Sequence, residues 1–307
     1  MTEAKRNLAA SVAARLLNRA KETGDDFQTL LTSFCFERFL HRVGGSAVKD
    51  RFVLKGAMLL RLWSDQPYRA TRDLDLLRRG DGSFDAIRAD VESVCSVKVA
   101  PDAVAFDPAS IAIEAIRAED EYAGVRVILP ARSGSARLRL QIDMGMGDSV
   151  WPPPRRCTVP ALLDFRPPEI LAYPPEAVVA EKLEAMVVLG DRNSRIKDFF
   201  DIHHLANHFE FDRPTLAEAV RRTFARRGTP LPAEDPIGLT PAYWQNPSRP
   251  PQVQAFARRA RLPVGPDPGK DLLRMLRAFL LPVLDDLRRK RPLEGQWPRG
   301  GPWKAAS

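Results

Sequence analysis

Asp73 and Asp75 stand two residues apart in the run Arg69-Ala-Thr-Arg-Asp-Leu-Asp-Leu-Leu77. In a β-strand this spacing sends both carboxylates to one face, while Leu74 and Leu76 enter a core. Like charges held side by side repel and raise each other's pKa unless a cation neutralises them. The pattern is therefore costly in a purely structural strand and natural at a divalent-metal site. Upstream, Phe52 to Leu54 reads as a buried strand and Ala57 to Trp63 as the first turns of a helix. Lys55-Gly56-Ala57 then forms a tight strand-to-helix turn, whose free amides can hold phosphate oxygens. An isolated Asp-x-Asp is common on solvated strand faces; the preceding strand–Gly–helix gives this one its weight.

A third carboxylate follows. Ala136-Arg-Leu-Arg-Leu-Gln-Ile-Asp143 alternates, with Leu138, Leu140 and Ile142 on one face and Arg139, Gln141 and Asp143 on the other. Asp143 is expected at the strand's end, just before Met144-Gly-Met-Gly147. Taken singly it reads as a strand-terminal turn residue. Beside the Asp73/Asp75 strand it would complete a set of oxygen ligands suited to Mg²⁺, a hard cation that keeps several waters and accepts substrate phosphates.

Two later segments read as helices. From about Glu176 to Leu189, Val178, Lys182 and Met186 share a face, so Lys182 either snorkels past a core or faces an anion. In Asn193-Ser-Arg-Ile-Lys-Asp-Phe-Phe-Asp-Ile202, the stripe Phe199, Ile202 and Leu205 is apolar, and Lys197 and Asp201 have the spacing of a surface ion pair. His204 and His208 have a zinc-compatible spacing, but the glutamate of His-Glu-x-x-His is absent and helical histidines near a core are more often structural.

At 307 residues the chain has room for two domains. Residues 9 to 43 read as two helices split at Gly24-Asp-Asp26, with Asp26 as an N-cap. A helix is expected near Phe84 to Ser96. Pro152-Pro-Pro154 and Pro167-Pro168 mark a change of region, placing a core over 1–150 and a mainly helical part over 151–307. The Pro-rich stretch from Gly228 to Pro268 exceeds an ordinary connection and is expected to be a cover or to hold short helices. A last helix runs from about Lys270 to Arg289 on Leu272, Leu276, Leu280 and Leu284.

Three scattered cysteines, Cys35, Cys95 and Cys157, match neither a disulfide framework nor a zinc site. No run approaches the ~18 apolar residues of a membrane span, and Met1-Thr-Glu-Ala-Lys-Arg has no apolar signal core, so a cytoplasmic location is expected. From Phe211 onward the chain carries 18 Lys/Arg against 9 Asp/Glu, which leaves about −1 of the total +8 for the rest. The clusters Arg221/Arg222, Arg226/Arg227, Arg258/Arg259/Arg261 and Arg288 to Arg291 can each be helix-end charges, but together they suggest a phosphate-rich partner.

In order, Asp26-Phe-Gln-Thr-Leu30, Phe36-Glu-Arg-Phe-Leu40, Phe52-Val-Leu-Lys-Gly-Ala57, Thr71-Arg-Asp-Leu-Asp75, Val179-Ala-Glu-Lys-Leu-Glu-Ala185 and Asn193 to Ile202 resemble the AbiEii/AbiGii toxin group. That group, which includes the MenT toxins, lies within the DNA polymerase β-like nucleotidyltransferase superfamily. The superfamily's Gly-Gly or Gly-Ser turn reads Gly56-Ala57 here. The resemblance implies an α+β fold: a mixed sheet with flanking helices, followed by a mainly helical C-terminal region. It implies transfer of a nucleoside monophosphate from an NTP to RNA, in some members the tRNA 3′ acceptor end, as part of a type IV toxin–antitoxin or abortive-infection system. Mg²⁺, replaceable by Mn²⁺, would bind Asp73, Asp75 and Asp143. Lys55, Gly56, Ala57, Thr71 and Lys182 would contact the nucleotide, and Asp198 would orient Lys182 or accept a proton from the attacking hydroxyl. A cognate antitoxin is expected and a membrane partner is not. The competing readings are a nucleotidyltransferase acting on a protein or small molecule, and a non-catalytic RNA- or partner-binding protein on the same fold.

Overall fold

The computed structural model describes residues 3–63, 71–116, 124–262, 265, 267–290 and 294–305. It divides into two compact units: 1–147 with 155–172, and 148–154 with 173–307. The chain thus passes between the units three times, at 147/148, 154/155 and 172/173, because the segment after the Pro152-Pro-Pro154 run returns to the first unit's sheet.

The first unit opens with helices α1 (Glu3–Thr23) and α2 (Phe27–Gly45). Asp26 caps α2, accepting from the Thr29 amide at 2.8 Å. Strand β1 (Phe52–Lys55) leads through a 3-10 turn (Gly56–Leu59) into the short helix α3 (Leu60–Trp63). Then come β2 (Asp73–Arg78), α4 (Phe84–Cys95), β3 (Val104–Phe106), β4 (Ala112–Ile116), β5 (Gly124–Ser133), β6 (Ala136–Met146), β7 (Arg155–Thr158) and β8 (Glu169–Ala172). The described strands form one mixed sheet in the order β3-β5-β6-β2-β1-β8-β7, with β4 also on β5. β2 runs parallel to β6 and β1 parallel to β8, while β1–β2 and β5–β6 are antiparallel.

Alternation decides which face of this sheet is dry. Leu74, Leu76, Leu140, Ile142, Val127 and Leu129 are fully buried, whereas Asp73, Asp75, Gln141, Asp143 and Arg126 keep partial access to water. Strand β6 runs on through Met146, so Asp143 lies inside the strand rather than at its end. Three further β-ladder residues beyond Asp143 pair with β2, which fixes the carboxylate's direction more firmly than a turn would.

The second unit contains α5 (Pro175–Leu189), α6 (Ile196–His208), β9 (Phe211–Asp212), α7 (Arg213–Arg227), α8 (Pro241–Gln245), α9 (Arg249–Arg259), α10 (Pro268–Arg289) and β10 (Gln296–Trp297), the last pairing with β9. The α10 stripe Leu272, Leu276, Leu280 and Leu284 is buried as its periodicity requires. The Pro-rich stretch holds α8, α9 and a 3-10 turn. It packs rather than covers: Tyr243 and Trp244 contact Phe199 of α6, with ring centroids 5.3 and 5.0 Å away.

Candidate active site

Strand register sets a row of charge across the first unit. Asp75 stands opposite Lys55 on β1 and opposite Asp143 on β6. Asp143 in turn faces Arg126 on β5, which faces Glu114 on β4. Register partners share a face, so two adjacent strands bring Asp73, Asp75 and Asp143 to one side of the sheet.

Gly56 adopts φ +68°, which only glycine enters without strain. A methyl group there would also fall 1.9 Å from Asp75 Oδ2. The turn therefore brings backbone and carboxylate together with nothing between them. Ala57 is buried and Lys55 half-buried at the same turn. Arg61, on α3, donates to Glu37 Oε2 of α2 at 3.2 Å and to the Pro160 carbonyl at 2.8 Å. Glu37, fully buried, also accepts from Arg38 at 2.6 Å and from the Leu162 amide at 2.7 Å, so α3 is pinned to α2 directly behind the turn.

Thr71 lies 2.6 Å from Asp73 Oδ1 through its hydroxyl, which also reaches the Asp73 carbonyl at 2.8 Å. The hydroxyl expected to serve the nucleotide here rests on the Asp73 carboxylate and carbonyl. Asp143 receives a side-on ion pair from Arg126, Nε to Oδ1 at 2.8 Å and Nη2 to Oδ2 at 2.9 Å, and a further hydrogen bond from Gln141 at 3.1 Å. The hydrogen bonds to Asp143 raise the pKa of Arg126 further above its already high value.

Among the described residues, no three His, Cys, Asp or Glu side chains lie close enough to hold a metal ion by themselves. Asp73 and Asp75 nevertheless fit a hard divalent cation: two same-face oxygen donors beside a turn cradle that a Cβ would fill, with substrate phosphates and water left to complete the coordination. Both oxygens of Asp143 are engaged by Arg126.

The second unit gathers the other expected residues. Lys182 Nζ lies 2.5 Å from Asp198 Oδ1 and 2.7 Å from Asp201 Oδ2. Arg195 Nε lies 2.6 Å from the other oxygen of Asp198. Both carboxyls are buried, but their surroundings separate them. Burial works to raise the pKa of Asp198, and Lys182 and Arg195 overcome it, bringing the carboxyl down to about 2. At Asp201 burial prevails and pushes the carboxyl well above its usual range. Asp201 therefore belongs to the lysine's cradle and not to a surface pair with the exposed Lys197.

The profile of the nucleotidyl transferase AbiEii toxin family, of type IV toxin–antitoxin systems, matches residues 38–287. This chain belongs to that family. No curated protein matches it. Among solved structures, a candidate nucleotidyltransferase from H. pylori is similar at 14% identity and TM-score 0.48, over 87% of this chain and 99% of that one. The Helicobacter pylori protein JHP933 is similar at 15% identity and TM-score 0.42, over 85% and 99%. An antigenic nucleotidyltransferase-like protein from Paracoccidioides brasiliensis gives 12% identity and TM-score 0.30, over 73% and 84%.

In this AbiEii chain the loop before Asp198 is clamped from the Pro-rich stretch. The Asn193 carbonyl accepts from Tyr243 Oη at 2.6 Å and from Arg249 Nη1 at 2.8 Å, and Arg249 Nη2 reaches the Asp191 carbonyl at 2.5 Å. Asn193 Oδ1 then accepts from the Arg195 amide at 2.8 Å.

Sequence pattern does not single out Arg126 or Arg249, and it gives Asp201 only a surface role. Asp201 carries a usable signal, its i,i+3 relation to Asp198 on one helix face. Arg126 has only its place on the polar side of an alternating strand, and Arg249 sits in a stretch without periodicity.

Much of the basic C-terminal surplus in this AbiEii chain is spent internally. Arg221 and Arg222 both hold Glu218, and the Arg221 hydrogen bond leads in bringing that carboxyl down to about 2. Arg227 lies 2.8 Å from the buried Glu184, Arg213 2.6 Å from Asp286, and Arg288 2.9 Å from Asp285. Arg258 and Arg259 are exposed at the end of α9, and Arg291 lies outside the described residues.

His204 and His208 stack on each other at 4.1 Å, and His208 Nδ1 lies 2.8 Å from the His204 carbonyl. Burial brings His204 down to about 4, a neutral structural imidazole. No described helix is long and apolar enough to cross a membrane.

Proposed function

We propose that this AbiEii-family chain transfers a nucleoside monophosphate from an NTP to RNA, with the 3′ acceptor end of tRNA as the favoured acceptor. The observation that carries the nucleotidyl-transfer reading is the Asp75 carboxylate lodged against Gly56, with Asp73 on the same strand face. In the proposed reaction an RNA hydroxyl attacks the α-phosphorus in line. The new P–O bond forms as the bond to the β-phosphate oxygen breaks, pyrophosphate leaves, and the hydroxyl proton passes to water.

Asp73 and Asp75 would hold Mg²⁺ or Mn²⁺, which when bound supplies charge neutralisation and Lewis acidity at the phosphates. The amides of Gly56 and Ala57 and the charge of Lys55 are assigned to the phosphates. Thr71 keeps Asp73 pointed along the strand face. Lys182 is assigned to the triphosphate on the family resemblance. Asp198, with Lys182 on one carboxylate oxygen and Arg195 on the other, is assigned to holding Lys182 rather than to taking the hydroxyl proton. A cognate antitoxin and an intracellular site of action follow from membership in a type IV toxin–antitoxin family as further parts of the proposal.

A protein or small-molecule acceptor is the second reading. It is favoured by the internal pairing of Arg213, Arg221, Arg222, Arg227 and Arg288, which weakens the inference from basic composition to RNA. Incubation with total tRNA, Mg²⁺ and each labelled NTP, comparing wild type with Asp75→Ala, separates the two. Label at the RNA 3′ end with wild type alone supports RNA transfer, and label on protein supports the second reading. Equal incorporation by Asp75→Ala would overturn the assignment of the carboxylate pair.

A further inference from the structure

We infer that Arg126 is the resident cation of the third carboxylate position, so that this site takes one divalent metal ion rather than two. The inference rests on the proposed metal role of Asp73 and Asp75 and specifies its stoichiometry. Three carboxylates on one sheet face would ordinarily suit a pair of metal ions, which in two-metal sites lie about 3.5–4 Å apart. Here the third carboxylate, Asp143, already has a cation. Arg126 meets both of its oxygens, at 2.8 and 2.9 Å, and Gln141 adds a third donor at 3.1 Å.

The pair is built into the sheet. Arg126 and Asp143 are register partners within ten consecutive β5–β6 pairs, so neither can leave without a side-chain rotation against a fixed ladder. The planar guanidinium matches a carboxylate side-on and keeps its charge at any physiological pH. Glu114, opposite Arg126 on β4, and Asp73 add further negative potential around it. A second divalent ion at Asp143 would have to displace a guanidinium held by two hydrogen bonds, or sit next to it and be repelled. The metal position is then the Asp73/Asp75 face beside the Gly56 cradle.

The test counts Mn²⁺ bound to the full-length protein by the loss of the free-ion electron paramagnetic resonance signal, with Mn²⁺ alone as the probe. Wild type is expected to bind one ion, lost in Asp75→Asn and retained in Asp143→Asn. Arg126→Gln, which keeps a polar side chain but drops the charge, is expected to bind two, the second lost in the Arg126→Gln/Asp143→Asn double variant.

Two ions in wild type, loss of an ion in Asp143→Asn, or a folded Arg126→Gln that still binds one would each overturn the inference. If Arg126→Gln does not fold, the wild-type and Asp143→Asn counts decide alone. No bound ion in any variant would overturn the Asp73/Asp75 metal reading itself, a result distinct from two ions in wild type.

Discussion

Asp75 Oδ2 occupies the space in which a side chain at Gly56 would begin, 1.9 Å from where a Cβ would stand. Gly56 follows the end of β1 and Asp75 lies on β2, yet the antiparallel register that sets Lys55 opposite Asp75 makes their approach unavoidable. The carboxylate and the turn to which we assign the phosphates are thereby held in one place by backbone geometry.

Gly56→Ala is expected to abolish nucleotidyl transfer and to destabilise the fold. The positive φ alone costs about 1 kcal/mol, and the methyl must push Asp75 aside or shift β1. Thermal melts should show a lowered midpoint, and calorimetry with Mg²⁺ and NTP should show weakened binding. A Gly56→Ala variant with wild-type turnover would remove the turn from the mechanism.

Thr71→Val should lower kcat about 10-fold or more, the order expected for losing a hydrogen bond to a charged carboxylate, while Thr71→Ser retains most activity. If the hydroxyl bound the NTP directly, the loss would fall chiefly on KM. Steady-state kinetics on the two variants distinguish the roles.

Asp198 and Asp201 should respond to pH in opposite directions. The folded pKa of Asp198 is about 2 against an ordinary 3.8, so its contribution is present above pH 4 and is lost as pH falls through 2. That difference corresponds to roughly 2 kcal/mol. Asp201 is raised by burial, so stability associated with its neutral form is full below 3.8 and declines as pH rises through its folded value. Asp198→Asn should therefore lower stability at pH 7 and lose that effect near pH 2. Asp201→Asn should be neutral or stabilising at pH 7. Urea titrations of both variants at pH 7, 5 and 3 measure the contrast, and equal losses at pH 7 would refute it.

Arg249→Met should destabilise the second unit by about 3 kcal/mol, since two carbonyls lose a charged donor in a buried setting. Tyr243→Phe, which removes one neutral hydrogen bond to Asn193, should cost about 1 kcal/mol. Chemical denaturation gives both values. Activity should fall further in Arg249→Met than in Tyr243→Phe, because the clamped loop carries Arg195 to Asp198.

Local signals carried much of the fold. Asp26 and Ser83 cap the helices that follow them, the α10 leucine stripe is buried, and the alternation of Asp73 to Leu76 sorts carboxylates from leucines. Such features depend on residues within a turn or two of each other, so short-range periodicity and capping chemistry reveal them. The Pro-rich stretch is less legible, because α8 packs its aromatic rings on Phe199, far away in sequence.

The sequence by itself determined that two carboxylates share a strand face after a glycine turn, and that Lys182 and Asp198 lie on helices. Strand spacing and helical periodicity require no knowledge of neighbours. Only the tertiary structure decided what each charge faces. Register placed Arg126 on Asp143, helix packing gave Lys182 to both Asp198 and Asp201, and the return of β8 beside β1 moved the boundary between units. Ion pairs and parallel strand pairings join residues far apart in the chain, and their partners are chosen by packing rather than by local pattern.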